Sequence, residues 1–173
     1  MSDLFFAGIL VTVLVILSWI DFKTFLLPDY LTLPLLLLGL IGNGFAWIEW
    51  ASPINSLIGA CIGWASLYSL NLLYKIFRGV DGIGMGDAKL LAALGAFLGW
   101  EALPYILIIA SCSGLLGGYI WLRMHQQDHT QAFPFGPFIA LGGIITIIWT
   151  LFKPIIYNSH LQLMEESLYC VLV

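Results

Sequence analysis

Charged residues are what this sequence has least of. Asp, Glu, Lys and Arg together make up 9% of its 173 residues, whereas hydrophobic residues make up 61%. A water-soluble domain carries about a quarter charged residues, so the composition excludes a soluble globular protein. The mean hydropathy of +0.99 instead predicts an all-α integral membrane protein, with the lipid bilayer as the solvent for most of its surface.

Basic residues and cysteines are also scarce, and their scarcity limits the possible partners. Six Lys and Arg against ten Asp and Glu give a net charge of −4, which argues against a nucleic-acid partner. The three cysteines form no CxxC pair, so the sequence predicts neither a zinc site nor a disulfide framework. His125, His129 and His160 show no metal-ligand spacing. We therefore expect no metal and no cofactor.

Long apolar runs are abundant. Six of them, at about residues 4–20, 30–47, 56–74, 87–100, 105–122 and 138–152, have the hydrophobicity of membrane spans. They predict a polytopic bundle of about six transmembrane helices over residues 1–157, followed by an extracytoplasmic tail at 158–173. No basic region precedes the first run and no small-residue cleavage site follows it, so we expect a retained span and not a signal peptide. The fourth run is short and rich in Ala and Gly, which favours a place inside the bundle.

The basic residues predict the orientation of these spans. With six spans, all but Lys153 fall on one side of the membrane: Lys23, Lys75, Arg78, Lys89 and Arg123. The positive-inside rule makes that side cytoplasmic and places the N-terminus outside.

Two acids lie at the edges of spans on that same side. Asp21 ends the first span and Asp87 begins the fourth, whereas the interiors of the spans contain no acid. An ionisable residue at a span edge marks a candidate functional site, although Asp21 could equally be a polar residue that ends a helix. Asp29 is expected to cap the second helix, and Lys89 to anchor the topology or to tune Asp87.

Two adjacent carboxyl groups can hydrolyse a peptide bond with one water molecule. Because like charges in close contact resist double ionisation, one acid keeps its proton while the other stays charged and activates water. Asp21 lies at the C-terminal end of its helix and Asp87 at the N-terminal end of its own. The helix dipole therefore predicts that Asp87 is the ionised base and Asp21 the proton donor.

The stretch before Asp87, GIGMGDAKLL, is rich in glycine. Glycines such as Gly84 and Gly86 allow backbone conformations closed to other residues. They also leave room for an extended substrate to lie along the main chain, as in strand addition.

Together, four segments resemble the bacterial type IV prepilin peptidases, which are GxGD-type intramembrane aspartyl proteases. The segments are DFKTFLLPDYLTLP from Asp21, GIGMGDAKLL from Gly82, LGAFLGW from Leu94 and FPFGP from Phe133. The resemblance implies that Asp21 and Asp87 are the catalytic aspartates and that Asp29 is a supporting residue. It also implies an inner-membrane endopeptidase that removes short basic leaders from type IV prepilins or type II secretion pseudopilins at the cytoplasmic face.

One feature of the family is absent from this sequence. Many members also carry a region with paired CxxC motifs and methylate the new N-terminus, so we expect peptidase activity alone. The alternatives are a cation or proton transporter and an inactive pilus-assembly scaffold. A proton relay needs acids at several depths, whereas Asp21 and Asp87 lie at one face.

Overall fold

The computed structural model describes residues 2–79, 82, 84–125 and 134–153. The predicted boundary at residue 157, the tail, His129 and His160 lie outside these residues. Within them the chain forms helices and no strand, which confirms the all-α prediction. The helices are α1 (Ser2–Thr24), α2 (Asp29–Gly44), α3 (Pro53–Arg78), α4 (Met85–Leu98), α5 (Leu103–His125) and α6 (Gly136–Lys153), with a 3₁₀ turn at Trp100–Ala102.

Four of the helices, α1, α3, α5 and α6, are long and apolar enough to cross a membrane. Large hydrophobic side chains are exposed on their outer faces, as expected where lipid is the solvent. By contrast, α4 has 14 residues, or about 21 Å at 1.5 Å per residue, which is less than the hydrocarbon thickness of about 30 Å. It can be short because the other helices enclose it, and Leu90 to Leu98 are all buried. The prediction that this helix lies inside the bundle is confirmed.

Glycines bring α3 and α4 into backbone contact. A Cβ atom on Gly59 would collide with the carbonyl oxygen of Gly95, and one on Gly95 with that of Gly59. One turn further along α3, a Cβ on Gly63 would lie 2.7 Å from the carbonyl oxygen of Leu91. This spacing of small residues lets the two helix axes approach closely and fixes the depth of α4 beside α3.

A buried amide holds the other end of α4. Asn43 at the end of α2 donates from Nδ2 to the carbonyl oxygens of Ala96 and Phe97, at 2.8 and 2.9 Å. The Ser56 hydroxyl in α3 also donates to Ala96. The last carbonyls of a helix have no partner within the helix, and in a membrane protein they need one from a neighbour.

Several helix boundaries differ from the sequence prediction; α1, for example, continues to Thr24. Pro28, in an extended conformation, is the N-cap of α2, and no side chain caps that helix. Asp29 is the first helical residue, so its predicted capping role is wrong. The third helix continues to Arg78 and ends at Gly79, whose φ of +75° suits glycine, so Lys75 lies in the last helical turn and not in a loop.

Candidate active site

The ends of α1 and α3 and the starts of α2, α4 and α6 meet at one end of the bundle. Three long-range contacts establish this: Asp21 of α1 with Gly136 of α6, Asp29 of α2 with Lys89 of α4, and Asn71 of α3 with Gly82 before α4. Both predicted acids therefore lie at the same end of the molecule.

Asp21 lies in the last turn of α1 and is only 4% exposed. Its Oδ2 accepts a hydrogen bond of 3.1 Å from the backbone N–H of Gly136. Gly136 is the first residue of α6, and the carbonyl of Phe135 accepts from the two N–H groups that follow Pro137. The N–H of Gly136 is thus one of the N-terminal donors that have no partner within the helix.

Asp87 is the third residue of α4 and is 7% exposed. Gly86, which precedes Asp87, and Gly136, which binds Asp21, both lie against Leu27, so the two acids belong to one site. Gly84 lies alongside, since a Cβ atom on it would be 3.5 Å from Oδ2 of Asp87. The structure therefore gathers Asp21, Asp87 and Gly84.

Leu27 packs between the segments that carry the two acids. A Cβ atom on Gly86 would lie 2.6 Å from Cβ of Leu27, and one on Gly136 would lie 3.2 Å from its Cδ1. Leu27 is buried, and the chain reaches it through Phe25, whose φ is +54°. Because Gly86 precedes Asp87 and Gly136 binds Asp21, one leucine sets the relative positions of both acids.

Asp29 and Lys89 form an ion pair beside the acids. Nζ of Lys89 lies 2.6 Å from Oδ1 of Asp29, and the two side chains are 27% and 58% exposed. Asp29 therefore pairs with a lysine and does not form part of the acid pair. At this exposure the ion pair contributes little to stability, but it links the start of α2 to the first turns of α4.

The glycine stretch is attached to α3. Oδ1 of Asn71, a buried residue, accepts the backbone N–H of Gly82 at 2.9 Å. The ring of Tyr74 occupies the space where a side chain at residue 82 would lie. These contacts fix the path of the chain that leads to Asp87.

Sequence reasoning assigned no role to Gly136, Leu27 or Asn71. A buried amide in an apolar helix is a signal that could have found Asn71. No comparable signal marks Leu27, one leucine among many. Gly136 stands in the FPFGP segment, but its partner is 115 residues away along the chain.

The contact with Gly136 also bears on which acid is charged. A hydrogen bond from a backbone N–H favours the ionised form of a carboxyl group. This contact therefore favours charge on Asp21, opposite to the prediction from the helix dipoles. That prediction considered only the helix on which each acid lies, whereas the start of α6 points at Asp21.

Comparisons with known proteins match this chain to peptidases. Residues 8–119 match the model of the type IV leader peptidase family. Proteins named prepilin leader peptidase/N-methyltransferase are 46% identical over 136 residues in Burkholderia pseudomallei (strain K96243), 44% over 136 residues in Pseudomonas aeruginosa and 42% over 147 residues in Pectobacterium carotovorum. These alignments cover 79%, 79% and 85% of this chain and 43%, 46% and 52% of the relatives.

The chain thus spans about half the length of the curated relatives that it matches. No solved structure matches it. The matched residues run from α1 into α5 and include both Asp21 and Asp87. On this match and on these identities, the chain belongs to the type IV leader peptidase family.

Proposed function

We propose that this protein is a multi-pass inner-membrane aspartyl endopeptidase that removes the leader from type IV prepilins or type II secretion pseudopilins. Asp21 and Asp87 are its catalytic pair. The observation that carries the proposal is the pair itself: two buried acids from the ends of different helices, whose segments pack against the same leucine, in a chain of the leader peptidase family.

The chemistry needs no group beyond the two acids and water. The ionised acid takes a proton from water as the water oxygen bonds to the scissile carbonyl carbon, while the protonated acid gives its proton to the carbonyl oxygen. The C–N bond then breaks as the first acid passes its proton to the leaving nitrogen. The hydroxyl of the tetrahedral intermediate returns a proton to the second acid as the new carboxyl group forms, which restores the pair.

Gly84 leaves space for an extended peptide beside the pair, whereas Leu27 fills the space beside Gly86. The Asp29–Lys89 ion pair supports the segments around the site. The site lies at the end of the bundle that carries five of the six basic residues, so we place it at the cytoplasmic face with the N-terminus outside. The leader's basic residues would meet an anionic membrane surface there.

The test is leader removal from a co-expressed prepilin. Wild type should cleave, whereas Asp21→Asn and Asp87→Asn should each lower the rate by at least about 100-fold, because each removes one member of an acid–base pair. Asp3→Asn is the matched control, since Asp3 is an acid at the opposite end of α1. Cleavage that survives in either site variant would contradict the proposal, as would proton or cation transport by a chain that never cleaves.

Methyl transfer is not proposed for these residues. The relatives' printed names include an N-methyltransferase, but this chain matches only part of their length. With S-adenosylmethionine and a processed pilin, the purified protein should transfer no methyl group above the level of a blank. Transfer by this chain would overturn the restriction to peptidase activity.

A further inference from the structure

We propose that Gly136 is a positioning residue: the N-terminus of α6 binds the carboxylate of Asp21, so that Asp21 is the ionised base and Asp87 the proton donor. This inference rests on the proposed peptidase function for its consequence, but the charge assignment itself can be measured without any cleavage.

The first support is the hydrogen bond. The Gly136 N–H is 3.1 Å from Oδ2 of Asp21, and both groups are buried. A carboxylate that accepts a backbone N–H at a helix N-terminus is stabilised in its charged form by the bond and by the helix dipole. The N-terminus of α6 thus stabilises the Asp21 carboxylate in the way that helix N-termini stabilise bound anions.

The second support is the local sequence. Pro137 follows Gly136 in the first turn of α6, where its lack of an N–H costs nothing because that group has no partner in a helix. The N–H groups of Phe138 and Ile139 are bonded to Phe135, so the N–H of Gly136 is the donor in this turn that is left for Asp21. Any side chain at residue 136 would collide with the acid, since a Cβ atom there would lie 2.7 Å from Oδ2 of Asp21 and 3.1 Å from its Cγ.

The lysines on α1 and α4 contact groups other than the two acids. On α1, the Lys23 ammonium lies 4.7 Å from the centroid of the Trp19 ring. Lys89 of α4 pairs with Asp29 of α2. From α4, Asp87 is the second carboxyl group of the site. Because two adjacent carboxyl groups resist double ionisation, Asp87 keeps its proton when Asp21 is the charged member.

The assignment has a mechanistic consequence. Asp21 takes the proton from water and later passes it to the leaving nitrogen. Asp87 donates to the scissile carbonyl and recovers its proton when the new carboxyl group forms. This is the reverse of the roles that the helix dipoles of α1 and α4 alone predict.

Infrared spectroscopy of the intact protein tests where the proton resides. One sample carries ¹³C-labelled aspartate only at the positions N-terminal to the turn that joins α2 to α3, which are Asp3, Asp21 and Asp29. The other sample carries the label only at the aspartates C-terminal to that turn. At neutral pH the carbonyl band of the protonated carboxyl should shift only in the second sample, which contains Asp87. A shift confined to the first sample would overturn the assignment whether or not the protein cleaves prepilin.

A pH–rate profile of leader cleavage tests the role of Gly136. In Gly136→Ala the backbone N–H remains, but the added Cβ would lie 2.7 Å from Oδ2 of Asp21 and must push the carboxylate away from it. The ionised form of Asp21 is then less stabilised, so the acidic limb of the profile should move to higher pH by about one to two units. Gly143→Ala is the matched control on the same helix, because its Cβ atom would lie 2.8 Å from the side chain of Leu94, away from the acids.

The control should keep its acidic limb in place, whatever its rate. An unmoved limb in Gly136→Ala would show that Gly136 does not act on Asp21. If Gly136→Ala does not fold, the labelled wild-type samples still decide the assignment.

Discussion

At the scale of single residues, the site depends on two glycines, which have no Cβ atom and so leave room for neighbouring groups. The missing Cβ of Gly86 admits Leu27, and the missing Cβ of Gly136 admits the carboxylate of Asp21. The glycine before Asp87 therefore has a steric reason in this fold that is independent of substrate binding.

Gly86→Ala tests that steric role. Its Cβ atom would lie 2.6 Å from Cβ of Leu27, an atom fixed to the backbone, so one of the two segments must move. A displacement of this kind near a catalytic pair costs about 10- to 100-fold in rate. Cleavage rates should fall by that amount in Gly86→Ala and stay unchanged in Gly8→Ala, where the added Cβ meets nothing within 4 Å. Full activity in Gly86→Ala would show that Leu27 does not fix the position of Asp87.

The residue pattern predicted the two acids but not what surrounds them. Asp21 and Asp87 stand out because ionisable residues are rare in apolar sequence. The pairing of Asp29 with Lys89 was not predicted, because the two residues lie 60 positions apart and a proline before Asp29 had taken the capping position. Contacts of this kind depend on which helices become neighbours, and one sequence does not encode that in any local pattern.

At the scale of elements, α4 is the helix around which the site is built. Its far end is held by Asn43 and Ser56, its flank by the glycines of α3, and its first turns by Leu27 and Asp29. Hydropathy predicted that this helix exists and that small residues place it inside the bundle. Hydropathy could not predict that α3 extends one turn beyond its apolar run, because Lys75 and Arg78 are polar but lie favourably at a helix C-terminus.

Asn71→Leu tests whether α3 holds the glycine stretch. The substitution removes the oxygen that accepts the Gly82 N–H at 2.9 Å, which frees the segment leading to Asp87. We expect the cleavage rate to fall by up to about tenfold, equivalent to about 1.4 kcal/mol, with faster proteolysis between Arg78 and Met85. Ser69→Ala is the control, since that exposed hydroxyl bonds only within its own helix. If both the rate of proteolysis and the rate of cleavage are unchanged in Asn71→Leu, Asn71 does not hold the glycine stretch in place.

At the scale of the whole molecule, the proposed orientation in the membrane rests on the end of the bundle at which the acids and most basic residues gather. Single cysteines in a background with Cys61, Cys112 and Cys170 replaced by serine test it. A membrane-impermeant thiol reagent should label Glu49→Cys and Glu101→Cys in intact cells, and Lys23→Cys only after the inner membrane is opened. The converse labelling pattern would place the acids on the extracytoplasmic side.

The meeting of Asp21 and Asp87 is the claim on which the rest depends, and cysteine cross-linking measures it directly. In the same cysteine-free background, a short bifunctional thiol reagent should join Asp21→Cys to Asp87→Cys. The pair Asp29→Cys with Lys89→Cys, which replaces the 2.6 Å ion pair, is the positive control. The pair Asp3→Cys with Asp87→Cys is the negative control. We predict that residues 21 and 87 cross-link as readily as the positive control. If they cross-link no faster than the negative control while the positive control reacts, the claim is contradicted.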